Sequence, residues 1–186
     1  MKIGIDIDDT ITNTWDYFMP LFSELFNIPL DKLKQLPPYY EAIKDLVSLD
    51  EYFKLMREYE HLIQDVPVKE NVKDILTKLK KEGNTIIFIT ARGNNTYSDP
   101  YLISKTYLDK RGIPYDKIIV NAWEKGTICK EEKIDLFIDD NIRNCTDASK
   151  QGIEVLMMSA NFNEFDKNFI HMNDWNQIYE YINNRW

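Results

Sequence analysis

The segment GIDIDDT at residues 4–10 sets Asp6, Asp8 and Asp9 at the end of a short apolar run. Carboxylates are poor material for a strand or a core. A second acidic pair, Asp139 and Asp140, ends the run LFIDD. If the two ends converge, Asp6, Asp8, Asp139 and Asp140 crowd one site. Each like-charge pair then costs roughly 4 kcal/mol at about 4 Å and an effective dielectric near 20. Such a cluster persists only with its groups protonated, paired or bound to a metal. A hard divalent cation with oxygen ligands answers the charge. Magnesium takes one or two carboxylates, several waters and an oxygen of a phosphorylated substrate.

Phosphoryl transfer requires a positioned nucleophile, charge neutralisation and proton transfer to the leaving oxygen. A carboxylate serves as nucleophile by forming an aspartyl-phosphate. A second carboxylate two residues on acts as general acid and then as base toward water. Thr90 ends the run TIIFIT and offers a hydroxyl to a phosphate oxygen. Main-chain amides after Asp6 and after Thr90, the latter at Ala91, suit an anion nest. Lys125, at the expected start of a helix, supplies a compact cation.

Each residue also has a plainer role to set against this chemistry. Asp6 and Asp8 alone could be a solvated strand end with an Asx turn, a reading that loses weight once Asp139-Asp140 ends a second strand. Asp9 reads better as a cap of the following turn than as a ligand contact, and Thr10 suits a helix N-cap equally well. Asp139-Asp140-Asn141 can cap a helix from Ile142. Lys125 competes with Lys130 and Lys133, which lie one or two turns further along and read as solvated. Arg92 and Asn94 either contact substrate or, for Arg92, brace the acidic pocket. Trp15, Tyr17, Phe18, Phe22, Tyr39, Tyr40, Tyr52 and Phe53 suggest base stacking, but aromatics at helical spacing more often pack a core. His61 and His171 have no metal-ligand neighbours in sequence.

Short apolar runs at 2–6, 85–90, 117–121, 135–140 and 153–159 read as strands. They are continuous rather than alternating, as in a parallel sheet covered on both faces. Helical stretches lie between them: one before Gly112, one from near Lys125 through 128–132, one over 142–151, and one over 175–186. Alternation of this kind predicts an open α/β fold. Ligands in such folds bind beyond the carboxyl ends of the strands, where the residues above would meet. The span from Thr12 to about Asn71 is too long for a connection and carries helical signals of its own. Pro20 is expected to kink the first helix, and Ser48-Leu-Asp-Glu51 is a capping box opening another toward Gln64. A helix near 70–81, closed by Gly83, returns to the second strand.

The chain has 186 residues and a formal net charge of −8. The charge argues against a nucleic-acid polymer or an anionic membrane as the main partner. It admits a small phosphorylated metabolite, because a metal ion reverses the local field. Cys129 and Cys145 match no zinc spacing and read as reduced thiols. No run approaches transmembrane length and no apolar leader is visible, so a soluble cytoplasmic protein is expected.

DIDDT with Asp6 and Asp8, FIT with Thr90, a lysine opening a helix, and FIDD with Asp139 and Asp140 together resemble the four signature motifs of the haloacid dehalogenase superfamily. The resemblance implies a Rossmann-like core over residues 1–13 and 72–186, and a small helical cap over 14–71. It implies a magnesium-dependent phosphatase. Asp6 would be nucleophile and metal ligand. Asp8 would be acid/base and lend a main-chain carbonyl to the metal. Thr90, Ala91 and Lys125 would bind the phosphoryl group, and Asp139 would ligate the metal with Asp140 supporting. DIDDT, ITARG and FIDDN with a small helical insert are most similar to the 5′(3′)-deoxyribonucleotidase group and bacterial nucleotidase relatives, which implies a (deoxy)nucleoside monophosphate as substrate. A sugar phosphate is the alternative within the class. The alternatives outside it are a phospho-acceptor signalling module and an inactive binding domain. The long insert and Asp8 argue against the first, the filled catalytic positions against the second.

Overall fold

A computed structural model describes residues 1–185. Six parallel strands run β1 (Lys2–Ile5), β2 (Thr85–Ile89), β3 (Lys117–Ile119), β4 (Leu136–Asp139), β5 (Glu154–Met158) and β6 (Ile170–Met172), in the sheet order β3-β2-β1-β4-β5-β6. The five expected strands are present. The sixth is an addition: three residues at the sheet edge, paired on β5 with Leu156 opposite Ile170. Too short to carry a period of its own, it is strand by virtue of its partner.

Strand residues alternate between two apolar layers. Ile3, Ile5, Ile86, Phe88, Leu136, Ile138, Leu156 and Met158 belong to one layer, covered by α5 (Val72–Lys81), α6 (Pro100–Arg111) and α9 (Trp175–Arg185). Ile87, Ile89, Phe137, Val155 and Met157 belong to the other, covered by α7 (Lys125–Glu132) and α8 (Ile142–Lys150). Cys129 on α7 and Cys145 on α8 are buried free thiols in this second layer. Gly126 lets α7 meet α8: a Cβ there would lie 2.4 Å from the Asp147 carbonyl oxygen. The last position of the final expected helix, Trp186, lies outside the described residues.

Four helices stand between β1 and α5: α1 (Thr14–Phe26), α2 (Leu30–Leu33), α3 (Tyr40–Ile43) and α4 (Leu49–Glu58). α1 runs on through Pro20 without interruption. The Ser48–Glu51 capping box opens α4 as expected. That helix stops at Glu58, and a 3-10 turn over Glu60–Asp65 completes the reach toward Gln64. The insert's two ends are joined where they leave and rejoin the sheet. Thr12 bridges Val68, Asn13 N–H donates to the Pro67 carbonyl at 3.0 Å, and Lys69 N–H to that of Ile11 at 2.9 Å. Trp15, Phe18, Phe22 and Tyr52 are buried in the same layer as the strands, so the aromatics of the insert serve packing first.

Candidate active site

Strand register brings the expected residues together. Ile5 pairs with both Phe88 and Ile138, so β1, β2 and β4 end at one level. Asp6, Thr90, Asp139 and Asp140 therefore emerge side by side, and Asp6 N–H still bonds the Ile138 carbonyl at 3.0 Å. Of the three candidate lysines, Lys125 reaches the carboxylates, while Lys130 and Lys133 are exposed. Lys125 is the first residue of α7, where a cation opposes the helix dipole. Its ammonium, 1% exposed, compensates by bridging Asp6 Oδ1 at 2.7 Å and Asp139 Oδ2 at 2.8 Å.

Asp139 is fully engaged. Oδ1 accepts from Asn141 N–H at 2.8 Å and Asn144 Nδ2 at 3.1 Å, and Oδ2 from Lys125 and Asn144. Asp140 accepts from the Thr10 hydroxyl at 3.0 Å through Oδ1 only. Asp6, Asp139 and Asp140 offer carboxylate oxygens within 4.8 Å of one another. Burial, then the charges of Asp139 and Asp8, push the Asp6 carboxyl up to about 7 against the pull of Lys125. Burial and the neighbours Asp139, Asp9 and Asp6 push Asp140 well above the ordinary range. Two buried carboxyls that resist ionisation beside a third are what a hard divalent cation relieves, so the residues present fit magnesium.

Asp8 lies in a different grip. Arg92 holds it through two bonds, Nε to Oδ2 at 2.8 Å and Nη2 to Oδ1 at 2.7 Å, and the Thr14 hydroxyl adds a third at 2.8 Å. Burial alone would raise the Asp8 carboxyl, but the guanidinium outweighs it and holds the group below its ordinary value. Arg92 is 3% exposed, its guanidinium lies over the Tyr107 ring, and its remaining nitrogen Nη1 is buried without a partner. The arginine therefore braces Asp8, and no donor of its side chain is turned toward solvent. Asn94, the other possible substrate contact, bonds Asn121 through its N–H at 2.8 Å and takes the Arg57 guanidinium on its carbonyl, at the rim.

Thr90 is buried, and its hydroxyl accepts from Arg92 N–H at 3.2 Å, which leaves the hydroxyl proton free to donate. Among the described residues, the N–H groups of Ile7, Asp8 and Ala91 have no partner, as an anion nest requires. Asp9 has both of its carboxylate oxygens engaged by the insert. Its Oδ1 accepts from Trp15 N–H at 2.9 Å in the first turn of α1, and its Oδ2 from the Tyr39 phenol. It caps α1, as the plainer reading had it. Thr10 does not cap: Asn13 stands at that position, and the Thr10 hydroxyl serves Asp140.

Four supporting residues escaped the sequence reading. Asn144 carries no signal beyond standing in the first turn of α8. Asn163 Nδ2 donates to the carbonyls of Asp140 at 2.7 Å and Met158 at 2.9 Å, tying the ends of β4 and β5 together. Trp175 Nε1 donates to the Thr10 carbonyl at 3.2 Å. Thr14 opens α1 and reaches back to Asp8. Among the described residues no helix is long and apolar enough to cross a membrane.

Comparison with known proteins adds to this geometry. The family model for 5′ nucleotidase, deoxy (pyrimidine), cytosolic type C (NT5C) matches residues 1–185. A nucleotidase of Clostridium acetobutylicum is 31% identical over 183 residues, covering 96% of this chain and 92% of that protein. Among solved structures, one described as a predicted phosphatase from Clostridium acetobutylicum superposes with a TM-score of 0.72 at 16% identity, over 98% of both chains. The haloacid-dehalogenase-like hydrolase YfnB of Bacillus subtilis, bound to magnesium, superposes at 0.65 with 16% identity, again over 98% of both. With a doubly covered parallel sheet, an acidic centre at its carboxyl edge and a match along its length, the chain belongs to the cytosolic type C 5′ nucleotidase family, and is a phosphatase of the haloacid dehalogenase type.

Proposed function

We propose that the protein hydrolyses nucleoside monophosphates with magnesium, through a phosphoryl group carried on Asp6. The observation that carries the reading is Lys125, buried between Asp6 and Asp139, with the N–H groups that follow Asp6 in the chain left unpaired. An ammonium so placed orients the Asp6 carboxylate and meets the equatorial oxygens of a phosphoryl group. The Thr90 hydroxyl and the N–H groups of Ile7, Asp8 and Ala91 hold the remaining oxygens. The nucleotide substrate rests on the family match and the nucleotidase relative.

Asp6 and Asp140, with the Asp8 main-chain carbonyl, would hold the cation. Asp139, whose oxygens already accept four donor contacts, anchors Lys125 instead. This proposed division differs from the expected one, in which Asp139 ligates the metal with Asp140 supporting. When bound, the cation neutralises charge on the carboxylates and the phosphoryl oxygens.

An Asp6 oxygen forms a bond to phosphorus as the ester bond to the leaving oxygen breaks, and Asp8 delivers a proton to that oxygen. Asp8 then takes a proton from the attacking water, whose oxygen bonds phosphorus while the bond to Asp6 breaks and phosphate departs. Arg92 and Thr14 hold Asp8 in the form needed for this second step. The first step needs Asp8 protonated, which Arg92 opposes while both its bonds to Asp8 are in place.

Phosphate release from a panel of nucleoside monophosphates, sugar phosphates and an aryl phosphate tests the reading. Turnover should favour nucleotides and stop with EDTA. Asp6→Asn should fold, bind substrate and release no phosphate. Turnover near wild type in that variant would refute the mechanism, and a preference for sugar phosphates would refute the substrate.

A further inference from the structure

Two residues that are not glycine hold left-handed backbone conformations and are bonded to each other. Asp9 has φ 58°, and Tyr39 has φ 59° with ψ −131°. A side chain with a Cβ resists the Tyr39 conformation, which glycine adopts freely. Tyr39 follows Pro37-Pro38 in the link between α2 and α3, and nothing local calls for that backbone. What holds it lies 30 residues away. The phenol donates to Asp9 Oδ2, and the Tyr39 ring packs on Trp15 with centroids 5.4 Å apart. Trp15 N–H in turn donates to the other Asp9 oxygen. Burial and the carboxylates of Asp9, Asp8 and Asp140 push the phenol well above its ordinary range, which keeps it a donor.

Asp9 is the neighbour of Asp8, so this contact joins the middle of the insert to the catalytic turn. The insert's second half is fastened elsewhere. Arg57 binds the carbonyls of Asn94 and Tyr97, Glu60 binds Ser98, and Gln64 binds the Ile103 carbonyl, all on the β2–α6 side. On the first half's side a cavity of about 190 Å³, lined by Trp15, Lys34 and Leu36 of the insert and by Lys69, Asn161 and Phe162, separates insert from core. Asp9 and Trp15, the two partners of Tyr39, also line that cavity.

We propose that Tyr39 and Asp9 form a latch that docks the first half of the insert on the catalytic turn, with Tyr39 as a positioning residue. Strain in a left-handed tyrosine and the gain from a hydroxyl bonded to a carboxylate are of the same order. The hydroxyl bond therefore offsets strain that would otherwise favour release, and its loss shifts the insert toward a lifted state that exchanges substrate and product. The kinetic consequence rests on the phosphatase reading, whereas the conformational one does not.

Amide hydrogen exchange on the full chain, without ligand, tests the latch in Tyr39→Phe, which removes only the hydroxyl. Exchange should quicken about tenfold over residues 30–43, with β2, β4 and β5 unchanged. KM for a nucleoside monophosphate should rise several-fold at near wild-type kcat, because bound substrate itself holds the insert down and only the competent fraction of free enzyme falls. Asp9→Asn, which keeps an oxygen for Trp15 N–H and tolerates the positive φ, should bring little further change when added to Tyr39→Phe, as expected of two halves of one contact. Unchanged exchange over 30–43 would overturn the latch, as would a fall in kcat at unchanged KM or fully additive effects. If Asp9→Asn fails to fold, Tyr39→Phe decides alone. Faster exchange in a protein that cleaves no phosphate ester would uphold the latch and refute the proposed function.

Discussion

Lys125→Met isolates the electrostatics of the centre. Methionine matches the apolar stem of lysine and removes only the charge. The ammonium is 1% exposed and makes contacts of 2.7 and 2.8 Å to Asp6 and Asp139, the latter 0% exposed. Breaking a buried pair by removing one partner costs about 3–5 kcal/mol, because the other is left charged and unpaired. The cost should depend on pH in a defined sense. Asp6 stands at about 7 with the lysine present, and the lysine lowers it. Without the ammonium the Asp6 carboxyl rises further, so acid neutralises it within the folded protein. A carboxyl raised on folding stabilises at low pH and loses that stabilisation as pH climbs through its folded value. The difference between variant and wild type should therefore narrow on acidification, by about 1.4 kcal/mol for each unit by which Asp6 has risen. Urea denaturation of both proteins in EDTA, at about pH 9.5 and about pH 5.5, reads the change directly. A loss of the same size at both pH values would refute the argument that Lys125 opposes the charge on Asp6.

Two further outcomes follow from the same centre. Gly126→Ala must drive α7 from α8 by about 1 Å, since its Cβ would otherwise sit 2.4 Å from a main-chain oxygen; a thermal melt should show a loss of about 1–3 kcal/mol, and kcat should drop by up to ~100-fold because Lys125 is carried along. Magnesium should raise the melting temperature more at pH 8 than at pH 5.5, because below about 7 the cation must displace the proton on Asp6; calorimetry with and without the ion checks it, and a gain that shrinks as pH rises would contradict the assignment of Asp6 as a ligand.

What the sequence revealed and what it hid divide along a physical line. Features set by a segment's own chain were legible. The apolar runs of β1, β2 and β4 had to end together for their terminal Asp6, Thr90 and Asp139 to matter, and a parallel sheet ends its strands on one edge. The Ser48–Glu51 box is complete within one turn. Features set by a partner were not legible. β6 is strand only because β5 offers it a ladder. Arg92 could read as a substrate contact or a brace, because the sequence does not show that its guanidinium folds back 84 residues onto Asp8. Trp175 crosses 165 residues to one carbonyl of Thr10, whose hydroxyl fixes Asp140. Asn163 holds the main chain of the same aspartate from the β5 side. The two aspartates of the FIDD motif are thus separated by their surroundings rather than by their spacing. One is saturated by an ammonium and three amide contacts, and the other is left with an open oxygen beside Asp6. A motif places two carboxylates at a strand end, but the donors around them, from Asn141 and Asn144 just beyond the strand to Lys125 on α7 and Thr10 after β1, determine which one keeps an open oxygen.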